Sequence, residues 1–156
     1  MNLVDNNPED LCLVDSAITH TILKNDNYFS SLVMREANVQ TISGTINLIE
    51  GSVRANILLP EGTKLCIENA FYSTKSKRNL LSFKDIRRNG YHIDITAKDN
   101  QECLAITNII SGRKCILENF PAFSSGLYYT FISTIEIHVI VNQKFTNTNH
   151  KFVNAN

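Results

Sequence analysis

Asp15 closes a short apolar run, Leu11-Cys12-Leu13-Val14, and is followed by Ser16-Ala17-Ile18-Thr19-His20. Four apolar residues bounded by an acid and small residues have the composition of a buried strand ending in a turn. Such a strand delivers its last side chain to the edge of the core, where a carboxylate is held rigidly yet meets solvent. Two roles fit. Asp15 is a catalytic aspartate, or it caps the turn by hydrogen-bonding its own backbone.

The other residues that carry chemistry do not gather around it. Cys12, Cys66, Cys103 and Cys115 are widely spaced, without Cys-x-x-Cys and without a histidine at ligand spacing from a cysteine pair. No metal site and no cofactor are expected, and the cysteines read as four free, mostly buried thiols. Lys75, Lys77, Arg78, Lys84, Arg87 and Arg88 form the densest basic stretch, with Tyr72, Phe83 and Tyr91 near in sequence. That mixture suits phosphates and stacked bases. Asp85 interrupts the stretch, however, and Lys+Arg and Asp+Glu both number 15, so a solvated helix face is the simpler reading. Nucleic acid is not expected as a partner, and weak nucleic-acid binding stands as a lesser alternative.

The elements that must position Asp15 are mostly strands. Residues 1–10 form a polar lead-in with Pro8, and the strand ending at Val14 follows. Thr21-Ile22-Leu23 is a second short strand or a continuation of the turn. Asp26 or Asn27 caps a short helix that sets Phe29, Leu32 and Val33 against the core. Strands are then expected at Val39–Ile42, Thr45–Ile49, Val53–Leu59, Thr63–Glu68 and Ala70–Tyr72, broken at Ser43-Gly44, Glu50-Gly51 and Pro60-Glu61-Gly62. Ser82 with Asp85 three residues on and Asn89-Gly90 as a stop predict one helix over Leu80–Arg88. Strands resume at Tyr91–Ile95, Cys103–Ile110, Lys114–Leu117, Leu127–Ile132 and the β-branched Ile135–Val141. The pattern predicts a mostly β fold, a small antiparallel β-barrel with one short covering helix. Residues 11–141 form that domain, and residues 142–156, rich in asparagine, form a disordered tail.

A chain of 156 residues with 43 % apolar content makes one domain without needing disulfides or metal. No run approaches 18 apolar residues, and Met1 to Asp10 has no basic-then-apolar leader, so an intracellular location with no membrane partner is expected.

The stretch from Asp15 to His20 resembles the D-[ST]-G-A-T-x-H signature of the protease region in Pol polyproteins of copia-type LTR retrotransposons. Ile42-Ser43-Gly44, Asn79-Leu80-Leu81-Ser82, Gly90-Tyr91 and Gly126-Leu127-Tyr128-Tyr129 resemble the same region in order and approximate spacing, over roughly residues 11 to 145. The resemblance implies a retropepsin-like or related barrel followed by the start of a pre-integrase segment. It implies a catalytic Asp15, with Ser16, Ala17 and Thr19 as the supporting turn and Gly44 and Gly51 in a flap; the turn Pro60–Thr63 is a second flap candidate. Retroviral-type proteases set two apolar residues and a glycine beneath the active-site loops, and the nearest match here is Leu80-Leu81-Ser82. Ala17 and Ser82 both stand where glycine is usual. One signature aspartate per chain means that a proton-sharing pair needs two copies, so activity implies a homodimer, Asp15 facing its symmetry mate, cleaving its own polyprotein. The alternative is a catalytically inactive structural or interaction module left from a decayed element.

Overall fold

Alternation of side chains fixes which face of each strand is buried. In β1 (Leu11–Asp15), Cys12 and Val14 are fully buried while Leu11, Leu13 and Asp15 are half-exposed. The computed structural model describes residues 6–31, 36–41 and 44–135. Over these residues the chain is mostly β with one helix. After β1 come β2 (Ile22–Leu23), β3 (Phe29–Ser31), β4 (Glu36–Thr41), β5 (Gly44–Leu58), β6 (Lys64–Tyr72) and β7 (Asn79–Ser82). The helix α1 (Phe83–Arg88) is followed by β8 (His92–Lys98), β9 (Gln101–Ile110), β10 (Arg113–Ser124) and β11 (Leu127–Phe131).

The strands join in the order β3-β5-β6-β2-β7-β1-β11-β10-β9-β8, with β4 on β5. Two features correct the expected antiparallel barrel. The sheet is open rather than closed, and it is mixed, because β1 runs parallel to β7 and β2 parallel to β6. A parallel neighbour needs a long crossover, and the chain between β1 and β7 supplies it. The sheet nevertheless curls. A single bridge pairs Leu58 at the end of β5 with Ser133 beyond β11, through hydrogen bonds of 2.8 and 3.0 Å. The core lies inside this curl, with Val14, Leu23, Ile57, Leu65, Leu81, Ile86, Leu104 and Phe120 all essentially inaccessible.

Local predictions are corrected where tertiary pairing overrides propensity. Leu80 and Leu81 belong to β7, not to the helix, because they are paired with Leu13 and Val14 of β1. The helix begins one residue after Ser82, whose hydroxyl accepts the Lys84 N–H. Glu50-Gly51 is not a turn; β5 runs through it as one strand of 15 residues, with its register on β6 shifting between Ile49 and Val53. A glycine inside a strand marks such an irregularity. The strand expected over Lys114–Leu117 runs on as β10 through Pro121, which sits where the strand's pairing passes from β9 to β11. The helix expected near Asp26 is a single 3-10 turn, Asp26–Tyr28, capped by Asn25. Leu32 and Val33, Ile42-Ser43, residues 136–141 and residues 142–156 lie outside the described residues.

All four thiols are free, but Cys66 is exposed, since Leu65 and Ile67 beside it on β6 point inward. Complete burial pushes the Cys12 thiol pKa far up, which keeps it protonated and inert. No helix among the described residues is long and apolar enough to cross a membrane.

Candidate active site

Asp15 occupies the last position of β1, between Leu127 of β11 and Ser82 of β7. Its Oδ1 accepts the Ala17 N–H at 2.8 Å. No hydrogen bond to Oδ2 occurs among the described residues, and the side chain remains partly open to solvent. Ser16, Ala17 and Thr19 are exposed around it. Ala17 is not among the residues with positive φ, so the turn does not require glycine and alanine there carries no backbone strain.

The turn is strapped from below by the second motif. The Ser82 hydroxyl donates to the Ile18 carbonyl at 2.9 Å. Thr21 Oγ1 accepts the Ser82 N–H at 3.1 Å and donates to Asp85 Oδ2 at 2.7 Å, with Thr21, Ser82 and Asp85 all buried. Asn79, fully buried at the other end of β7, accepts the Lys24 N–H and donates to the Glu9 and Leu11 carbonyls. Every donor is thus satisfied by a partner more than 50 residues away, as burial demands. Asp85, which the capping pattern singled out, reaches Thr21 rather than the Ser82 backbone. Thr21, Asn79 and Asp85 were not visible as site residues, because nothing local marks a contact across 60 residues.

Thr19 Oγ1 lies 3.0 Å from His20 Nδ1, and the His20 ring stacks on Phe71 at 4.6 Å. His20 therefore has a packing partner and no hydrogen bond or ion pair with Asp15 among the described residues. Of the two flap candidates, Gly44 opens β5 opposite Thr41 in the β4–β5 hairpin, and Gly51 lies within β5. No described hydrogen bond brings either to Asp15. The turn Pro60–Thr63 is fixed, since the buried Glu118 carboxylate accepts from the N–H groups of Glu61 and Thr63 at 3.0–3.1 Å. A loop anchored on both sides in this way is a poor flap.

The basic stretch divides between the β6–β7 turn and α1. Arg78 lies over Phe123 at 5.6 Å, Arg87 over Phe83 at 5.8 Å, and Arg88 is 3.9 Å from Asp85. No group of three or more His, Cys, Asp or Glu that could hold a metal occurs among the described residues. A shallow hollow of about 270 Å3 lies at the β8–β9 turn, lined by Lys98, Glu102, Cys103 and Phe120 among others, and does not include Asp15.

A family model described as Pol polyprotein, beta-barrel domain, matches residues 12–91, just over half of the chain. The chain belongs to this family. It is a retrotransposon Pol-derived domain. Neither a curated protein nor a solved structure matches it. The matched part of the β-barrel domain runs from Cys12 to Tyr91 and so contains the Asp15 turn, the β4–β5 hairpin, β7 and α1. It does not contain β11, yet β11 pairs with β1 along its whole length, from Leu11↔Phe131 to Asp15↔Leu127. The folded unit of this Pol domain therefore extends well past the matched residues.

Proposed function

We propose that this domain is the aspartic endopeptidase of a copia-type Pol polyprotein, acting as a homodimer on its own polyprotein. One observation carries the reading: a partly exposed carboxylate at the end of a central strand accepts a hydrogen bond on one oxygen alone among the described residues, while its turn is strapped to a buried polar network through Ser82. Rigid placement with solvent access is what acid–base chemistry asks of a side chain. The parallel β7, with Leu80-Leu81-Ser82 abreast of Leu13-Val14-Asp15 and a helix directly after it, fits the retropepsin-like arrangement that the resemblance implies. The β4–β5 hairpin is the flap in this reading.

Two Asp15 carboxylates brought together across a two-fold axis share one proton, since like charges at that distance do not both ionise. The ionised member takes a proton from the water that attacks the scissile carbonyl. The protonated member donates a hydrogen bond to the carbonyl oxygen as charge develops there. The Ala17 N–H holds Oδ1 and leaves Oδ2 to the substrate side. Ser16 and Thr19 shape the rim of the turn.

A second reading, an inactive structural module, is favoured by the same hydrogen bond, because an Asp that accepts the N–H two residues on is also how a turn caps itself. Incubation of the purified chain with a polyprotein segment across about pH 4–7 separates them. Cleavage by the native chain that is lost in Asp15→Asn supports the protease. Absence of cleavage in both sinks it and leaves the structural module.

A further inference from the structure

Asn89-Gly90, the step that ends α1, is also a pair of residues that can react with each other. Of the six glycines, Gly90 alone follows an asparagine. In an open chain the nitrogen of a glycine, unscreened by any Cβ, reaches the side-chain carbonyl carbon of the asparagine before it. The Gly90 nitrogen gives its proton to a solvent base and bonds to Asn89 Cγ, and the amide nitrogen takes up a proton and leaves as ammonia. Water then opens the five-membered ring at one of its two carbonyls, which yields aspartate or isoaspartate at position 89. Water is consumed, ammonia is released, and nothing is oxidised or reduced.

The folded chain opposes every part of this reaction. Asn89 has a ψ of 3°, which eclipses the Gly90 nitrogen with the Asn89 backbone nitrogen, whereas ring closure needs it abreast of Cβ. The Gly90 N–H is donated to the Arg87 carbonyl at 2.9 Å. The carboxamide is held at both ends: Oδ1 accepts the Cys66 N–H at 2.9 Å, and Nδ2 donates to the Cys66 carbonyl at 2.9 Å and the Asp85 carbonyl at 2.8 Å. Cys66 has Asn56 of β5 on one side, while β2 pairs with β6 further along, at Phe71 and Tyr72. Asn89 therefore makes to Cys66 the bonds that a neighbouring strand would make, and so clamps α1 to β6.

We propose that Asn89 is a deamidation site gated by the fold, locked while α1 is clamped to β6 and reactive when that clamp opens. Reclosing does not reverse it. Aspartate keeps an acceptor for the Cys66 N–H but has no donor, so a carboxylate is set against the Cys66 and Asp85 carbonyls. Negative charge beside the last carbonyls of a helix is unfavourable as well. Isoaspartate reroutes the main chain through the former side chain and displaces Gly90. The damage travels inward, because α1 also carries Asp85, whose carboxylate accepts the Thr21 hydroxyl beneath the Asp15 turn. The site thus records local opening as a permanent loosening of the network under Asp15. The inference stands apart from the protease reading.

Peptide-resolved mass spectrometry of the full chain in mildly alkaline buffer, with isoaspartyl methyltransferase as the probe for isoaspartate, tests the proposal. Asn89 converts at least about ten-fold faster in denaturing urea than in the native chain, and at intermediate urea its rate follows the hydrogen exchange of the Cys66 amide. Native conversion as fast as that in urea overturns the gating, and no conversion in urea overturns the site. The product's effect is read by trypsin after the exposed Arg87 and Arg88. Cutting is at least about ten-fold faster in Asn89→Asp than in the native chain, with Asn89→Ala, which lacks the charge, between them. An Asn89→Asp chain as resistant as the native one overturns the permanent loosening. The conversion rates are measured on the native sequence, so they decide the gating even where Asn89→Asp does not fold.

Discussion

Asp15 on β1 and Glu118 on β10 are carboxylates placed next to tight turns, on strands separated by β11 alone, and they are treated in opposite ways. Glu118 is 2 % exposed and its two oxygens accept three hydrogen-bond contacts from the turn Pro60–Thr63. Asp15 accepts one among the described residues, from Ala17, and its side chain is partly open to solvent. Glu118 is consumed in holding the β5–β6 turn to β10. Asp15 is held by its neighbours, through Ser82 and Thr21, and its own bonding capacity is left over. A carboxylate that does structural duty is surrounded by donors; one available for chemistry is supported from a distance.

Exchanging the roles by mutation tests this difference. The largest effect is expected for Asp15→Asn, which keeps the Oδ1 acceptor for the Ala17 N–H but cannot transfer a proton. Cleavage should fall by at least about 10²-fold with the thermal midpoint nearly unchanged, as read by a peptide-release assay beside a melting curve. Glu118→Ala should do the reverse. It strands the buried N–H of Thr63 and the part-buried N–H of Glu61 without an acceptor, and urea unfolding should show a loss of about 2–3 kcal/mol, with cleavage per folded molecule retained. A fully stable Glu118→Ala would remove the contrast.

Ser82→Ala lies between the two. It releases the Ile18 carbonyl and the helix cap together, so stability should drop by about 1–2 kcal/mol. Because the Asp15 turn is then held less firmly, kcat should fall more than KM rises; equal changes in both would show that Ser82 serves the fold alone. Ala17→Gly is the smallest. Since Ala17 has no positive φ, glycine gains nothing in the folded state and adds freedom to the unfolded one, for a loss of about 0.5–1 kcal/mol. A gain in stability would show that the turn wants glycine after all.

How legible these two carboxylates were differs as much as their roles. Leu11 to Asp15 is readable because strand, turn and acid are neighbours in sequence, and the signature resemblance strengthens the same residues. The alternation in β6 likewise places Leu65 and Ile67 inward and Cys66 outward without any tertiary information. Glu118 was invisible. It sits at a bulge in β10 between Ile116 and its own position, one residue past Leu117, where composition ends the strand, and its partners are 55 and 57 residues away. Leu80 and Leu81 have a helix-compatible pattern and become strand only because β1 lies beside them. Openness of the sheet, too, is decided by pairings between distant strands, which spacing of turns does not encode.

The pairing of β1 has a further consequence for timing. Its two neighbours, β7 and β11, are made about 70 and about 120 residues later in synthesis, and non-local contacts of that kind form slowly because loop closure must precede them. The strand that carries Asp15 emerges from the ribosome before either neighbour and is flanked on both sides only after Phe131 has emerged. A polyprotein built this way has a built-in delay: its candidate acid is not set in place until translation has passed the far end of the domain.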